Sequence, residues 1–371
     1  MRILMPSIVD PREARGGAWT ATRGLIRVLE LAWPGVAIEC IPVPSRSRAG
    51  HRVRQLRCLV QGAAAIGPPA KIAFSRSASL RRRVIESLRS AKPDLVILNG
   101  SDLLWLLSVV PKDVKVLLVA HNIEHELYRA QVSTLAKQSS VAERLLKRDC
   151  ARLKEQEWSA MRSVQRVVFL SEADRNTALN ACPALESIAL PPVFDYVPHP
   201  SRGPMSDRVA IGMFADFSWW PNQSSLKWFL EEVWPLLEPD IELHLAGYGS
   251  DHATDLRQPR VHAHGFVSDP RDVFRLCDLM IAPIVTGAGV KVKVAEALFN
   301  RVPVVATSIA LRGLPLDSTA PVQVCDTTSE WQTALRPAAA RSLAARSVLD
   351  DIALRFSPER YAAAFRAFAA Y

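Results

Sequence analysis

The stretch that decides the fold is LMIAPIVTGAGVKVKVAEALFNRVPVVA, residues 279–306. It opens with an apolar run of strand length, Leu279–Pro283, which leads into a loop that contains two glycines. A helical pattern follows over Lys291–Asn300, and a second apolar run, Val302–Ala306, comes after it. Short continuous apolar runs on either side of a helix are typical of buried parallel strands. The stretch therefore predicts a β-α-β unit of a parallel sheet.

The same alternation continues in both directions along the chain, so the prediction extends to an α/β fold class with parallel sheets. Further strands are predicted at Arg2–Val9, Val36–Val43, Leu95–Leu98, Val114–Ala120, Arg166–Leu170, Val209–Phe214, Ile241–Ala246 and Val261–His264. Further helices are predicted at Ala18–Leu31, Glu124–Met161, Pro221–Leu237 and Asp269–Leu276, with Ser171 as the N-cap of another. Residues 45–89 form the least regular part of the pattern.

A proline-rich segment separates two series of β-α-β units. Prolines at 191, 192, 198, 200 and 204 give this segment the composition of a stiff, non-helical linker. The pattern predicts an N-terminal Rossmann-like domain over residues 1–195, a linker over 196–207 and a C-terminal Rossmann-like domain over 208–355. In doubly wound sheets ligands bind at the carboxyl ends of the strands. The loops that follow strands are therefore the candidate sites.

Composition and charge limit the kinds of partner and the cellular location that the protein can have. The chain has 371 residues and a net charge of +9, and this charge is unevenly distributed. Residues 1–200 contain 29 Lys and Arg against 18 Asp and Glu, whereas residues 201–371 contain 17 against 19. The basic half predicts a polyanionic partner or an anionic membrane surface, with a solvated arginine-rich surface as the alternative. Scattered cysteines and the lack of a leader or spanning stretch predict a cytoplasmic protein, peripheral at most on the inner face of the membrane.

The arginines of residues 46–89 are the predicted membrane or acceptor contacts. Clustered arginines gain roughly 1 kcal/mol per charge near an anionic leaflet. Nucleic acid is not expected as a partner, because Phe74 is the one aromatic in this segment and no stacking platform accompanies the charges. The residues assigned to this contact are Arg46, Arg48, Arg52, Arg54, Arg57, Arg81, Arg82 and Arg83.

The glycine loop that follows Pro283 has the properties of an anion site. Gly287 and Gly289 leave backbone amides uncovered, and a helix begins near Val290, where its N-terminus favours negative charge. Lys293 and Glu296 lie three residues apart and so share one helix face. A cation for phosphate and a carboxylate for ribose hydroxyls suit a nucleotide. The alternative is a tight turn with a surface Lys–Glu pair.

A second candidate follows the strand Val114–Ala120. The sequence H-x-x-E-H, from His121 to His125, matches a zinc-protease pattern, but that pattern requires both histidines on one helix. His121 instead comes directly after a strand, where active sites gather. It is therefore predicted to contact substrate, with a structural histidine as the alternative.

Weaker signals include Gly16-Gly17, which follow the first strand without a dinucleotide fingerprint. The loop from Asp216 to Asn222 carries two tryptophans, which pack either on a ligand or in the core. His262 and His264 alternate along a strand, but no acidic or Cys partner follows at useful spacing. No metal site is therefore predicted.

Several segments together resemble the retaining glycosyltransferases of family GT4, whose two-Rossmann-domain fold is called GT-B. They include VAHNIEHELYRAQ at residues 119–131 and FSWWPNQSSLKWFLEEVWPLLEPDIELHLAGYG at residues 217–249. Residues 264–306 are the most specific part, and RFSPERYAAAFRAFAAY ends the chain. The resemblance implies two domains that face a central cleft. It also implies a tail helix, residues 356–371, that crosses back onto the N-terminal domain.

The resemblance also implies a nucleoside-diphosphate sugar as donor and a saccharide or lipid-linked acceptor. Glu296 would bind the ribose, Lys293 would hold the diphosphate, and His121 would contact the donor sugar near the reacting carbon. The other implied donor contacts are Gly16 and Gly17 at the diphosphate and sugar, Asn222 at the phosphates, Gly265, Phe266 and Val267 at the base, and Gly287, Ala288, Gly289 and Val290 in the loop.

The sequence departs from the family pattern at two places. Ala288 stands where the family often has the first of two glutamates, and Asp216, Phe217 and Ser218 stand where a basic residue is common. Neutralisation of the diphosphate would then depend on Lys293, helix termini and an N-domain arginine such as Arg15. Such enzymes work without a metal, and the leaving phosphate takes the acceptor proton. The alternatives are a GT-B sugar-nucleotide epimerase and a catalytically degenerate binding or scaffold protein.

Overall fold

The computed structural model of the protein describes residues 1–13, 16–44, 48–135, 140–198, 207–252, 258–346 and 350–370. The chain divides into two compact units. Unit 1 contains residues 1–13, 26–191 and 361–371, and unit 2 contains residues 14–25 and 192–360. Residues 199–206 of the predicted linker, together with Arg15 and Arg46, lie outside the described residues.

Unit 1 is built on six strands: β1 (Arg2–Ser7), β2 (Ala37–Pro42), β3 (Leu95–Asn99), β4 (Lys115–Ala120), β5 (Arg166–Phe169) and β6 (Ser187–Ala189). They form one sheet in the order β2-β1-β3-β4-β5-β6, and each neighbouring pair is parallel. Every residue of β3 is buried, which is why this strand reads as a continuous apolar run.

The helices that run between these strands are α1 (Gly16–Ala32), α2 (Arg48–Ala63), α3 (Ala70–Ser75), α4 (Ala78–Ala91), α5 (Glu124–Leu135), α6 (Ser140–Ser163) and α7 (Glu172–Ala181), with a 3-10 segment at Ser101–Val109. Ser171 is the N-cap of α7, as predicted, because its hydroxyl accepts from the Asp174 N–H at 3.0 Å. Residues 45–89, the least regular part of the predicted pattern, contain α2, α3 and most of α4. The numerous arginines of this segment dilute the apolar periodicity from which helices are predicted.

Unit 2 contains the second sheet, with strands β7 (Val209–Phe214), β8 (Ile241–Ala246), β9 (Val261–Ala263), β10 (Leu279–Ala282), β11 (Val304–Ala306) and β12 (Val322–Val324). They too are all parallel, in the order β12-β11-β10-β7-β8-β9. The direction of winding reverses between β7 and β10. In a doubly wound sheet, the carboxyl ends of such a strand pair border the ligand crevice.

The helices of unit 2 are α8 (Trp220–Trp228), α9 (Pro270–Leu276), α10 (Val292–Phe299), α11 (Ser308–Leu311), α12 (Thr328–Ala334), α13 (Pro337–Ala344) and α14 (Asp350–Leu354). The single helix predicted over Pro221–Leu237 is wrong. After α8 the chain makes a π-turn over Phe229–Val233 and a 3-10 turn over Trp234–Leu236. Pro235 explains the change, because proline has no N–H to continue an α-helical ladder.

The last helix, α15 (Glu359–Ala369), belongs to unit 1 from residue 361 onward. Phe365 is fully buried there, and its ring meets the edge of Trp33 at a centroid distance of 6.1 Å. Arg166 on β5 donates to the carbonyls of Phe368 and Ala370. These contacts fasten the end of the described chain to the first sheet.

The core of each unit lies against its sheet, and alternate residues of a strand serve opposite faces. On β10, Leu279 and Ile281 join one buried cluster, whereas Met280 and Ala282 join another. The prediction of two doubly wound, parallel α/β units is confirmed. Within the described ranges, no helix combines the length and apolarity that a membrane crossing needs.

Candidate functional site

The glycine loop of unit 2 lies between β10 and α10, at the winding reversal. Gly287 and Gly289 have φ angles of 132° and 69°, values that L side chains rarely adopt. No side chain caps the N-terminus of α10, whose N-cap residue is Lys291. The first amides of α10 therefore have no side-chain partner at the cap, at the end of the helix where an anion is favoured.

Lys291 shapes this loop, and the sequence analysis assigned it no role. Its side chain is buried, and Nζ donates to the carbonyl oxygens of Ala288 at 3.1 Å and Gly289 at 2.7 Å. The ammonium group thus supplies the hydrogen-bond donors for two carbonyl oxygens of the loop. It also places a positive charge beneath the loop, where an anion would gain from it.

Lys293 and Asn222, predicted separately as phosphate contacts, are brought together. Lys293 Nζ donates to Asn222 Oδ1 at 2.6 Å, and Asn222 Nδ2 donates to the Asp216 carbonyl at 2.7 Å. Burial, together with the charge of Lys291, lowers the pKa of Lys293 to about 7. A bound anion would favour the charged form of Lys293 and raise that pKa.

Glu296 is buried one turn further along α10. Tyr196 donates from its hydroxyl to Glu296 Oε1 at 3.1 Å, and Asn300 Nδ2 donates to the Tyr196 oxygen at 2.9 Å. Burial raises the pKa of Glu296 to about 7, although the Tyr196 hydrogen bond acts in the opposite direction. Neither Tyr196 nor Asn300 was predicted as a site residue, because Tyr196 lies 100 residues from Glu296 in the sequence.

The alternative to a nucleotide site was a surface ion pair between Lys293 and Glu296, and this pair does not form. In the part of the chain that the structure describes, no ion pair joins Lys293 to Glu296; each has a different partner. A buried Glu296 and a half-buried Lys293, each held by a neutral partner and each with its pKa shifted toward 7, are typical of a functional site. The structure therefore favours the ligand-binding interpretation of this helix face.

Gly16 and Gly17 begin α1, and this part of α1 belongs to unit 2. A Cβ atom on Gly17 would lie 3.0 Å from the Cβ of Val292, the first residue of α10. Gly16 has φ +71°, and a Cβ there would meet Asp216 at 3.9 Å. Gly17 therefore lies against the start of α10, where a side chain would be crowded, and Gly16 lies near the loop after β7 with a positive φ that a side chain would strain.

The residues predicted to lie near the base follow β9. Gly265 has φ +70°, and its carbonyl accepts from the Gly247 N–H at 2.8 Å. Val267 packs on an apolar cluster of unit 2, while 55% of Phe266 is exposed. Of the three residues, Phe266 thus offers a free aromatic face.

His121 lies in unit 1 at the carboxyl end of β4, as predicted. Asn99, at the end of β3, donates from Nδ2 to Ser7 Oγ at 3.0 Å. Its Oδ1 therefore faces His121 and accepts from Nε2–H at 2.8 Å. Burial lowers the pKa of His121 to about 4, so the ring is neutral at pH 7. Ser7, Asn99 and His121 form a row along the ends of β1, β3 and β4; the sequence analysis missed the first two.

The zinc-protease interpretation of H-x-x-E-H receives no structural support. His125 Nδ1 is 2.7 Å from Glu157 Oε2, and Glu124 pairs with Lys71, so the three motif side chains have separate partners. Among the described residues, one group of three metal-ligand side chains comes together. That group lies on β8 and β9 and contains none of the motif.

The arginines predicted to face a membrane divide into different environments. Arg46 is outside the described residues, as are the side chains of Arg48 and Arg52. Arg54 donates to the carbonyls of Ala73, Phe74 and Arg76, so it holds the end of α3. The remaining four are exposed: Arg57, Arg81, Arg82 and Arg83.

Unit 1 also has an open surface pocket of about 700 Å³ that the sequence did not reveal. Arg76, Arg148 and Arg152 line it, with Glu155 as the one acidic residue of the lining. Arg152 is fixed by donating to the carbonyls of Gly62 and Gly67. Arg152 is also paired with the buried Asp149 at 3.2 Å, which leaves Arg76 and Arg148 against Glu155, a small positive excess that favours an anionic ligand.

Comparison with known proteins shows the fold of the chain, and one family model matches a part of unit 2. Residues 208–336 match the family of glycosyl transferases group 1. The chain is similar to sucrose-phosphate synthase from Thermosynechococcus elongatus, with a TM-score of 0.68, 13% identity and coverage of 98% of this chain and 97% of that one. No curated protein sequence matches the chain.

Two further structures are similar. Anabaena HepE, solved in complex with UDP-glucose, gives a TM-score of 0.62 at 15% identity, with 99% of this chain and 98% of that chain covered. Staphylococcus aureus TarM, solved with UDP and alpha-GlcNAc-glycerol, gives 0.60 at 13% identity over 79% of this chain. The match spans 59% of the length of TarM. The fold class, α/β with two doubly wound units as in GT-B glycosyltransferases, is confirmed.

Proposed function

We propose that the protein is a glycosyltransferase that moves a sugar from a nucleoside-diphosphate sugar to a saccharide, lipid-linked or other acceptor, with retention of anomeric configuration and without a metal ion. The observation that carries this proposal is the helix face of Lys293 and Glu296. Glu296 is buried and Lys293 is half-buried beside the winding reversal of unit 2, within the segment that matches glycosyl transferases group 1.

The diphosphate would bind at the glycine loop. The amides at the start of α10 supply fixed partial positive charge, Lys291 supplies a charge beneath the loop, and Lys293 becomes charged as the anion binds. Negative charge grows on the leaving diphosphate as the glycosidic bond breaks. Groups already held in place stabilise that charge without reorganisation, which is the main source of rate enhancement we assign to this unit.

Glu296 would recognise the ribose of the donor. An ionised carboxylate accepts hydrogen bonds from both hydroxyls of a diol, and Tyr196 keeps Oε1 oriented by its own hydrogen bond. Burial destabilises the ionised form of Glu296, and hydrogen bonds from the ribose hydroxyls would offset part of that destabilisation. Phe266 is the residue we assign to the base, because its ring is exposed and aromatic faces stack on bases.

His121 of unit 1 is proposed to contact the transferred sugar. Because Nε2–H is donated to Asn99, the neutral ring retains Nδ1 as an acceptor for a sugar hydroxyl. For retention we propose that the acceptor attacks the face from which the diphosphate departs. The leaving phosphate oxygen takes the acceptor proton, so no protein base is needed in this step.

The acceptor is assigned to unit 1, whose arginine-lined pocket and exposed Arg81, Arg82 and Arg83 suit an anionic or lipid-linked molecule. The three arginines are consecutive on α4 and so fan out over about 200° of its surface. They would meet a membrane surface along an arc, not as one flat patch. Peripheral attachment to an anionic leaflet is part of the proposal.

The test is calorimetric titration with UDP, GDP, ADP and dTDP, followed by a transfer assay with the matching sugar nucleotide. One nucleotide is expected to bind, and Lys293→Ala is expected to weaken it about 10- to 100-fold, since a charge-assisted contact is lost. Lys227→Ala, which removes an exposed lysine of the same unit, is the matched control and should leave binding unchanged.

Failure of all four nucleotides to bind, or equal binding by the Lys293→Ala protein, would overturn the proposal. Binding with no transfer to any acceptor would favour the degenerate binding protein instead. Release of an epimerised sugar nucleotide in the absence of acceptor would favour the epimerase.

A further inference from the structure

Two neighbouring strands of unit 2 present a cluster of imidazole and carboxylate groups. Strands β8 and β9 are parallel, and His244 stands opposite His262 in their register. Ile241, Leu243 and Leu245 on β8 are buried. Glu242 and His244 alternate with them and so point to the opposite, less buried face of the sheet. His264 continues this row directly after β9.

The cluster has the dimensions of an ion site. One ligand atom from each of Glu242, His244 and His262 lies within 4.8 Å of the other two, and His262 Nε2 is 3.9 Å from Glu242 Oε2. Bond lengths of 2.0–2.1 Å to a tetrahedral Zn²⁺ put ligand atoms about 3.3 Å apart. The rings of His244 and His262 are stacked at a centroid distance of 4.9 Å, so His262 must turn out of the stack before both nitrogens face one ion; its 47% exposed side chain has room to do so.

The surrounding side chains already orient two of the three ligands. Nδ1 of His244 is 2.9 Å from Nε2 of His264; donation from Nδ1–H would leave Nε2 of His244 as the ligating nitrogen. Arg208 donates to Oε1 of Glu242, while Oε2 is the oxygen near His262. Hydrogen bonds of this kind from outer residues fix the geometry of metal ligands.

We propose that Glu242, His244 and His262 bind one divalent transition-metal ion of the Zn²⁺, Ni²⁺ or Cu²⁺ type, with His264 as an orienting residue. Two imidazoles and one carboxylate suit these ions, whereas Mg²⁺ and Ca²⁺ prefer oxygen ligands alone. The local sequence predicted no metal, because no acidic residue follows His264 at useful spacing. The partner, Glu242, comes from the preceding strand.

The expected consequence of binding is local. The ion would link β9, a three-residue edge strand, to β8. The chain between the two strands would then form a loop that is closed by the ion. Ligands that bind the folded state alone raise its stability by mass action. The site is made of side chains on a sheet face and does not involve the glycine loop, so the inference does not rest on the proposed function.

The experiment is titration of untagged, EDTA-treated full-length protein with ZnCl₂ and NiCl₂, followed by calorimetry and thermal unfolding. One ion per chain is expected to bind and to raise Tm, and CoCl₂ is expected to give the visible absorption of a tetrahedral site. His262→Ala and His244→Ala are each expected to weaken binding at least tenfold. MgCl₂ should have no effect.

His252→Ala is the matched control, because His252 is an exposed histidine of unit 2 outside the cluster. It should bind the ion as the wild type does. Glu242→Gln tests the carboxylate while keeping the shape of the side chain. The proposal is overturned if the wild type takes up no ion, or if all three cluster variants bind as tightly as the control.

Discussion

The carboxyl edges of the two sheets are built from opposite kinds of chemistry. In unit 1 the edge carries Ser7, Asn99 and His121, which are neutral and hydrogen-bonded to one another. In unit 2 the edge is bordered by Lys293, which is half-buried, and Glu296, which is buried, and the pKa of each is shifted toward 7. The pKa of His121 lies far below 7, whereas Lys293 and Glu296 titrate near pH 7 and would change protonation when a ligand binds. This contrast fits the proposed roles, which are sugar orientation for the first edge and nucleotide binding for the second.

The largest expected effect separates these two roles. His121→Ala should lower the rate of sugar transfer about 100-fold, the usual scale for losing one preorganised polar contact to the reacting group. The affinity for the nucleotide should not change, because the proposed binding groups, Lys293 and Glu296, lie in unit 2. The measurements are steady-state kinetics with the donor sugar and calorimetry with the nucleotide alone.

Asn99→Ala is the companion variant, since it removes the acceptor that fixes the His121 ring. Its transfer rate should fall less than that of His121→Ala, and circular dichroism should confirm that the sheet is intact. A loss of nucleotide affinity in either variant, equal to that of Lys293→Ala, would break the division between the two edges.

The pH dependence of stability tests the charged edge. The folded pKa of Glu296 is about 7, above its ordinary value of 4.5, so the folded state holds more protons than the unfolded state between pH 4.5 and 7. Glu296 therefore contributes stability below pH 4.5 that is lost as the pH rises through 7. Glu296→Gln should be more stable than wild type by up to about 3 kcal/mol at pH 8, and the advantage should vanish near pH 4.5.

Thermal unfolding of both proteins across this range is the measurement. Glu231→Gln, which alters a half-exposed glutamate of the same unit, is the control and should show no such trend. An unchanged difference between Glu296→Gln and wild type from pH 4.5 to 8 would contradict a buried, shifted carboxyl. It would also weaken the contrast with the neutral edge of unit 1.

The smallest expected effect is on the binding of the arginine-rich surface of unit 1 to membranes. Replacing Arg81, Arg82 and Arg83 together by glutamate should reduce sedimentation with anionic phosphatidylglycerol vesicles, at roughly 1 kcal/mol per arginine that faces the lipid. Stability should change little, because the three side chains are exposed. Neutral phosphatidylcholine vesicles and high salt are the controls. Equal binding to both vesicle types would remove the membrane from the proposal.

Local pattern was sufficient for most of the architecture. The stretch 279–306 predicts strand, loop, helix and strand, and the structure has β10, α10 and β11 at those places. The hydrophobic pattern failed to predict the helices at two places, one where a proline ends the α-helix and one where arginines weaken the apolar periodicity. Pro235 ends the helical ladder after α8, and the arginine-rich sequence of α2 hides its apolar face.

By itself, the sequence determined that the chain alternates strands and helices, that its sheets are parallel, and that a glycine loop precedes a helix with Lys293 and Glu296 on one face. These features depend on residues a few positions apart. Only the tertiary structure decided which partners these side chains have. Asn222 meets Lys293 across 71 residues, and Tyr196 meets Glu296 across 100. Strand order and register set such contacts, and burial then sets the charge of each group, so neither can be deduced from local spacing.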